Sequence, residues 1–292
     1  MSEFVSFELT CVSKALSPLT HNKSAKGNET IVSQESVAAS HGICVVPVLS
    51  GNAIRHRMVR EPGARFLVER WGLAGNLELR ILQFLFHGGA LTEGSPSESA
   101  KRIRQWWKLF PLMRVIGGCL PNQIIGGALH CWHGVLACRE NEERIKQSVP
   151  SGWMPEGHLL PARRFLSSYQ YVRRDASQTV PDLEREQIAA LPKKSGMMIY
   201  VGQQVSSGAV FVHGFLLREA KRVDIGCLLH SLNLWQSRNG TIGGMAAKGH
   251  GRLQMSMAVR PEFDEAGAIA EYVSHVDSVK DEAISWMRSE LG

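Results

Sequence analysis

The sequence predicts an α+β fold, and three observations carry that expectation. Residues 4–12 and 253–259 alternate apolar and polar side chains, as half-buried strands do. Ile225, Leu228, Leu229 and Leu232 recur at helical spacing within 223–235. So do Ala266, Ile269, Ala270, Val273, Val276, Val279, Ile284 and Met287 within 263–291. Between these ends, 72–147 reads as a mostly helical insertion, with an apolar stretch at 77–86 and a break at Gly94-Ser95-Pro96-Ser97. At 292 residues the chain is long enough for one elaborated domain or two.

In chain order, the strand at 4–12 is followed by a polar segment, 16–40, read as a long loop. Its His21, Lys23 and Lys26 are candidate phosphate contacts. Cys44–Leu49 then leads into Ser50-Gly51-Asn52-Ala53-Ile54-Arg55-His56-Arg57-Met58-Val59-Arg60. Ser50 is a good N-cap, and Glu61-Pro62-Gly63 is expected to stop the helix. A helix start offers unpaired backbone N–H groups and a partial positive charge to phosphate. Arg55, His56, Arg57 and Arg60 add charge, with Arg57 and Arg60 expected on one face. In 99–110, Arg102, Arg104, Trp106, Trp107 and Lys108 mix rings with cations; the expectation is one tryptophan buried and the cations exposed. Tyr169–Arg174 reads as extended and brings Arg173 and Arg174. A polar, Pro-interrupted excursion follows before strand character resumes at 197–203 and 209–217.

The run 239–252 holds five glycines in fourteen residues, together with Lys248, His250 and Arg252, and no acid lies between Gln236 and Arg260. Glycines let a backbone approach a ligand closely, so Gly243 and Gly244 with these cations suggest a phosphate chain. A Walker loop is excluded: from Gly244 the spacing reaches Gly249, but His250 stands in the lysine position and a strand follows. The dinucleotide fingerprint fails as well, because the flanking elements come in the wrong order.

Composition agrees. A net charge of +6 favours an anionic partner, while 44% apolar and 21% charged residues are ordinary for a globular protein. Six basic residues and no acid occur between Ser99 and Arg139, and no aspartate precedes Asp175. The six cysteines form no CxxC pair, which fits free thiols in a reducing cytoplasm. Cys119, His130, Cys131, His133 and Cys138 follow no common zinc-finger spacing, so no metal or cofactor is expected. With no cationic leader and no bilayer-length apolar run, the expectation is a soluble cytoplasmic protein without a membrane partner.

Taken together, strand, loop, helix, insertion, strands, helix, glycine-rich loop and strand resemble the ferredoxin-like (RRM-like) core of the RAMP superfamily of CRISPR-associated proteins. Ile242-Gly243-Gly244 with Gly249-His250-Gly251-Arg252 looks like that superfamily's C-terminal glycine-rich loop. Pro47-Val48-Leu49-Ser50-Gly51-Asn52-Ala53-Ile54-Arg55 is similar to a stretch in the backbone subunits of class 1 effector complexes. The resemblance implies a palm in two parts, 1–71 and 148–292, a helical finger insertion at 72–147, a protruding thumb at about 174–196 and a C-terminal helix at 263–291. It implies a type IV-like or type I subunit that polymerises along a CRISPR RNA with other effector subunits and presents the guide to a complementary DNA or RNA target. Ser50, Gly51, Asn52, Arg55, His56, Arg57 and Arg60 would then hold guide phosphates, with Lys23, Lys26, Arg173, Arg174, Gly243, Gly244, Lys248, His250 and Arg252 along the strand path. The RNA-cleaving relatives carry an aspartate in the loop after the first strand. Here that loop has only Glu29 and Glu35, so a non-cleaving subunit, not an enzyme, is expected. Two rivals stay open: a guide-processing endoribonuclease using His21 or His41, and a type III-like target nuclease using Glu29 or Glu35. A third is an unrelated single-stranded RNA-binding module.

Overall fold

The architecture is built around β1 (Val5–Ala15), whose alternate residues Phe7, Leu9, Cys11, Ser13 and Ala15 are buried while Glu8 and Lys14 are exposed. This is a computed structural model, and it describes residues 5–26, 29–39, 42–75, 77–89, 100–120, 123–150, 152–153, 159–173, 198–260 and 263–291. The strands after β1 are β2 (Asn22–Lys26), β3 (Glu29–Val32), β4 (Gln34–Ala39) and β5 (Gly42–Leu49). Helices α1 (Gly51–Ile54) and α2 (Glu61–Arg70) follow, then α3 (Leu79–His87), α4 (Ala100–Leu109) and α5 (Pro111–Ile116). Four three-residue strands come next: β6 (Gly118–Leu120), β7 (Gln123–Ile125), β8 (Leu129–Cys131) and β9 (Gly134–Leu136). The remainder is α6 (Glu142–Ser148), β10 (Leu166–Arg173), β11 (Met198–Val205), β12 (Val210–Ala220), α7 (Arg222–Ser237), β13 (Leu253–Arg260), α8 (Glu265–Ser278) and α9 (Lys280–Leu291).

The main sheet runs β13-β1-β12-β9-β5-β4, with β8 also on β12. β1 pairs antiparallel with both β12 and β13, so those two strands run parallel and are joined by the α7 crossover. With the helical segment after β5 and the short strands β8 and β9, this is the β-α-β-β-α-β arrangement of a ferredoxin-like core. One face of the sheet buries Phe7, Leu9, Phe211 and Phe215 against Ile225, Leu228 and Leu232 of α7. His213 lies fully buried in that face, with its Nε2 2.9 Å from the Ser13 hydroxyl. Burial lowers its pKa to about 4, so it is neutral. A second sheet, β10-β11-β3-β2, stands beside the first.

Four expectations change. The 16–40 segment is not a long loop: its described residues form β2, β3 and β4, because β3 finds a parallel partner in β11 and β4 pairs along β5. The helix after Ser50 does not stop at Pro62-Gly63 but runs on through α2 to Arg70. A π turn over Arg55–Arg60 precedes the proline, and the Glu61 N–H reaches back to His56 O. The missing N–H of Pro62 is thereby absorbed in a widened turn. Gly63 is a crossing point, since a Cβ there would stand 2.7 Å from Leu112 and 3.0 Å from the Ser231 hydroxyl. Within the 72–147 insertion, β8 and β9 are strand and belong to the main sheet, with α6 following them. The C-terminal helix is two helices that meet at Val279. The tryptophan expectation holds: Trp106 is fully buried against Phe84, Trp107 is only half-buried, and Arg104 and Lys108 are exposed. Phe84, Phe110 and Trp286 close edge to face, fastening the insertion to α9. Among the described residues, no helix is long and apolar enough to cross a membrane.

Candidate nucleic-acid interface

The two glycine-bearing segments expected to contact phosphate meet in space. Thr20, His21, Asn22, Ser50, Asn52, Ala53, His56, Arg57, Gly243 and Gly244 line one open depression of about 490 Å³. Its floor is the segment between β1 and β2. Thr20 exchanges two bonds with the glycine-rich loop: the Gly244 N–H donates to Thr20 O at 2.8 Å, and the Thr20 hydroxyl donates to Gly244 O at 2.7 Å. One residue on, His21 Nε2 accepts from the Ser50 N–H at 3.1 Å. Two consecutive residues therefore join the helix start to the loop, although the two lie almost two hundred positions apart in the chain.

The helix start is organised as the sequence indicated. Ser50 is extended (φ −66°, ψ 139°), and its hydroxyl accepts from the Ala53 N–H at 3.2 Å. With the Ser50 amide given to His21, the amides of Gly51 and Asn52 begin the helix without intrahelical acceptors. His21 can accept only as the neutral ring, and burial, followed by the charge of His133, lowers its pKa.

The basic residues divide. Arg57 is exposed beside the depression and donates to Glu61 at 2.7 Å, while Arg65 donates to the other Glu61 oxygen. Burial works to raise the Glu61 carboxyl, but the bonds from both arginines outweigh it and hold it low. Arg60 faces elsewhere. It donates to His87 O at 2.7 Å and Gly117 O at 3.4 Å, pinning the ends of α3 and α5, because the π turn rotates it off the face it would share with Arg57 in a regular helix. Arg55 reaches Ile116 O and Asn52 Oδ1, both at 3.5 Å, and His56 stacks on His87.

The glycine-rich loop is anchored rather than loose. The Gly251 N–H donates to Pro18 O, the Arg252 N–H to the Ser17 hydroxyl and the Leu16 N–H to Arg252 O. Gly243 has φ +83°, and a Cβ there would stand 2.8 Å from Thr20 O, so glycine is demanded by the contact with Thr20. Lys248 lies outside the depression, its Nζ 3.1 Å from the Tyr171 ring centroid. His250 meets the Tyr169 ring, and Arg252 is exposed. Arg173 closes β10; its side chain, those of Lys23 and Lys26, and Arg174 with the expected thumb lie outside the described residues.

Other candidates go elsewhere. Glu35 accepts from Arg144 at 2.7 Å and faces His133 at 3.9 Å. The basic run at 99–139 is partly spent on ion pairs within the chain, Arg114 with the buried Asp224 and Lys108 with Glu282 at the surface. Burial pushes the Cys131 and Cys138 thiols up to about 12. Among the described residues, no three His, Cys, Asp or Glu side chains are grouped to hold a metal ion. His41 and the Glu29 side chain lie outside the described residues. The sequence reading passed over Thr20 as a contact and missed the tyrosines of the second sheet. A Tyr-x-Tyr alternation on β10 was visible, but its partners on other strands were not.

No family model matches the chain, and no curated protein matches it. Among solved structures, a chain of a type IV-B CRISPR complex is similar over 88% of this chain and 92% of its own, with a TM-score of 0.60 and 14% identity. Csc2 of Thermofilum pendens is similar over 97% of this chain and 76% of its own, with a TM-score of 0.40 and 13% identity. What the first comparison establishes is a shared fold, the α+β arrangement described above.

Proposed function

We propose that this chain is a backbone subunit of a class 1 CRISPR effector complex, type IV-like, that holds a guide RNA by its sugar-phosphate strand. One observation carries the reading: the Ser50 helix start and the Gly243-Gly244 loop share a single open depression with Asn52, His56 and Arg57 along it. Unpaired amides and cations at such a place suit phosphates, and phosphate contacts position a strand without reading its sequence. The fold shared with a chain of a type IV-B CRISPR complex supports the same reading. In this role, copies polymerise along the guide in a filament with other effector subunits and present it to a complementary DNA or RNA target.

The subunit does not itself cut the target. Two features support this half of the proposal: Glu35 is tied to Arg144, and His21 Nε2 is occupied by the Ser50 amide, so neither is poised as a free acid or base. The test combines binding and cleavage. Purified protein should bind guide RNA of any spacer sequence, with affinity falling steeply as salt rises, and Arg57→Glu or Arg252→Glu should weaken all spacers alike. Site-specific cutting of repeat RNA, or regularly spaced cutting of target, would falsify the non-cleaving assignment.

A further inference from the structure

The second sheet carries an aromatic surface that the hydrophobic core does not use. Alternation along β10 puts Tyr169 and Tyr171 on one face, and Tyr171 stands opposite Tyr200 in the β10–β11 register. The rings lie nearly parallel: 12° in each pair, with centroids 6.1 Å apart for Tyr169–Tyr171 and 5.0 Å for Tyr171–Tyr200. Tyr169 leans across Gly202, where a Cβ would collide with the Tyr169 hydroxyl, and that hydroxyl is 2.8 Å from Thr30 Oγ1. Tyr272, by contrast, is fully buried in the core, while these three rings are each half-open to solvent. The glycine-rich loop delivers cationic chemistry to the same place: the exposed Lys248 sits on the face of Tyr171, and His250 meets Tyr169 at 5.8 Å. A ladder of rings with a lysine on it, continuous through one loop with the depression at Gly243-Gly244, matches the chemistry of an unpaired base and its phosphate.

We propose that the Tyr171–Tyr200 ladder seats one unpaired nucleobase of a single-stranded nucleic acid by stacking, while the Lys248 ammonium turns from the ring to the adjoining phosphate. Stacking accepts any base, so this site adds affinity and register without sequence preference. The proposal rests on the neighbouring depression following a sugar-phosphate strand. The experiment uses the full chain with uridine and deoxyuridine 12-mers, each carrying one 2-aminopurine at successive positions. Binding is read by anisotropy and stacking by 2-aminopurine quenching.

Tyr171→Ala and Tyr200→Ala should each weaken binding about tenfold with an unchanged salt slope, and Tyr171→Phe should restore it. Lys248→Ala should instead lower the salt slope by about one. Quenching should occur at one position in the wild type and vanish in the alanine variants; whichever strand shows it identifies the occupant. Folded alanine variants that bind and quench like the wild type overturn the ladder and leave the depression standing. If those variants fail to fold, wild-type binding without quenching at any position overturns it instead. A wild-type chain that binds neither strand overturns both readings.

Discussion

The floor of the depression and its rim are built by opposite means. On the floor, Thr20, His21 and Ser50 are held by bonds of 2.7–3.1 Å across distant segments, and Thr20 is fully buried. On the rim and beyond it, Arg57, which lines the depression, and Lys248 and Arg252, which lie outside it, are exposed side chains, one on a surface carboxylate and one on a tyrosine face. The difference separates two jobs. Buried bonds fix where the backbone amides sit, whereas exposed charges can move to meet a strand at little cost. Loss of a floor residue should therefore damage fold and binding together, and loss of a rim residue binding alone.

The largest effect is expected at Gly243. Gly243→Val puts a branched side chain at φ +83° against Thr20 O, and should lower unfolding free energy by about 2 kcal/mol and abolish RNA binding. Denaturant unfolding and a binding titration check this; a stable variant that still binds would break the comparison. Next comes the pair Arg60 and Arg57, three residues apart on one helix. Arg60→Ala removes charged bonds to His87 O and Gly117 O and should cost about 2 kcal/mol by loosening α3 and α5, read as lost protection in hydrogen exchange over 79–87 and 111–116. Arg57→Ala should leave stability within about 0.5 kcal/mol and weaken RNA binding several-fold.

Acid sharpens the comparison further. His213, with its pKa lowered from 6.5 to about 4, stabilises the fold fully above pH 6.5. That contribution, about 3 kcal/mol, is lost as pH falls from 6.5 towards 4. Replacing Ser13 and His213 together by Ala and Phe should flatten this part of the stability–pH curve. His21 is shifted in the same direction, so its bond to the Ser50 amide still holds at pH 6.5 and is lost only as pH falls through its own lowered pKa. Proton NMR titration of the two rings distinguishes them. The smallest effect belongs to Arg252→Ala, a severalfold loss of affinity with an unchanged melting temperature, because its backbone, not its side chain, anchors the loop.

Much of this was legible in the chain. Periodicity located β1, α7 and β13, and Ser50 behaves as the N-cap its position promised. Charge alone was a poorer guide: the long acid-free basic run, 99–139, feeds Asp224 and Glu282, while the depression draws on the short cluster at 55–60. Pro62-Gly63 looked like a stop because local rules cannot see a π turn before the proline or a helix crossing at the glycine.

By itself the sequence determined the element types, the capped helix start and the glycine-rich turn, since each depends on residues within a few positions of one another. Only the tertiary structure decided that Thr20 and His21 clasp both, that Arg60 turns to the end of α3, and that Tyr171 finds Tyr200 beneath Lys248. Those outcomes depend on strand register and long-range hydrogen bonds, and a pairing between segments far apart in the chain leaves no periodic trace in either one.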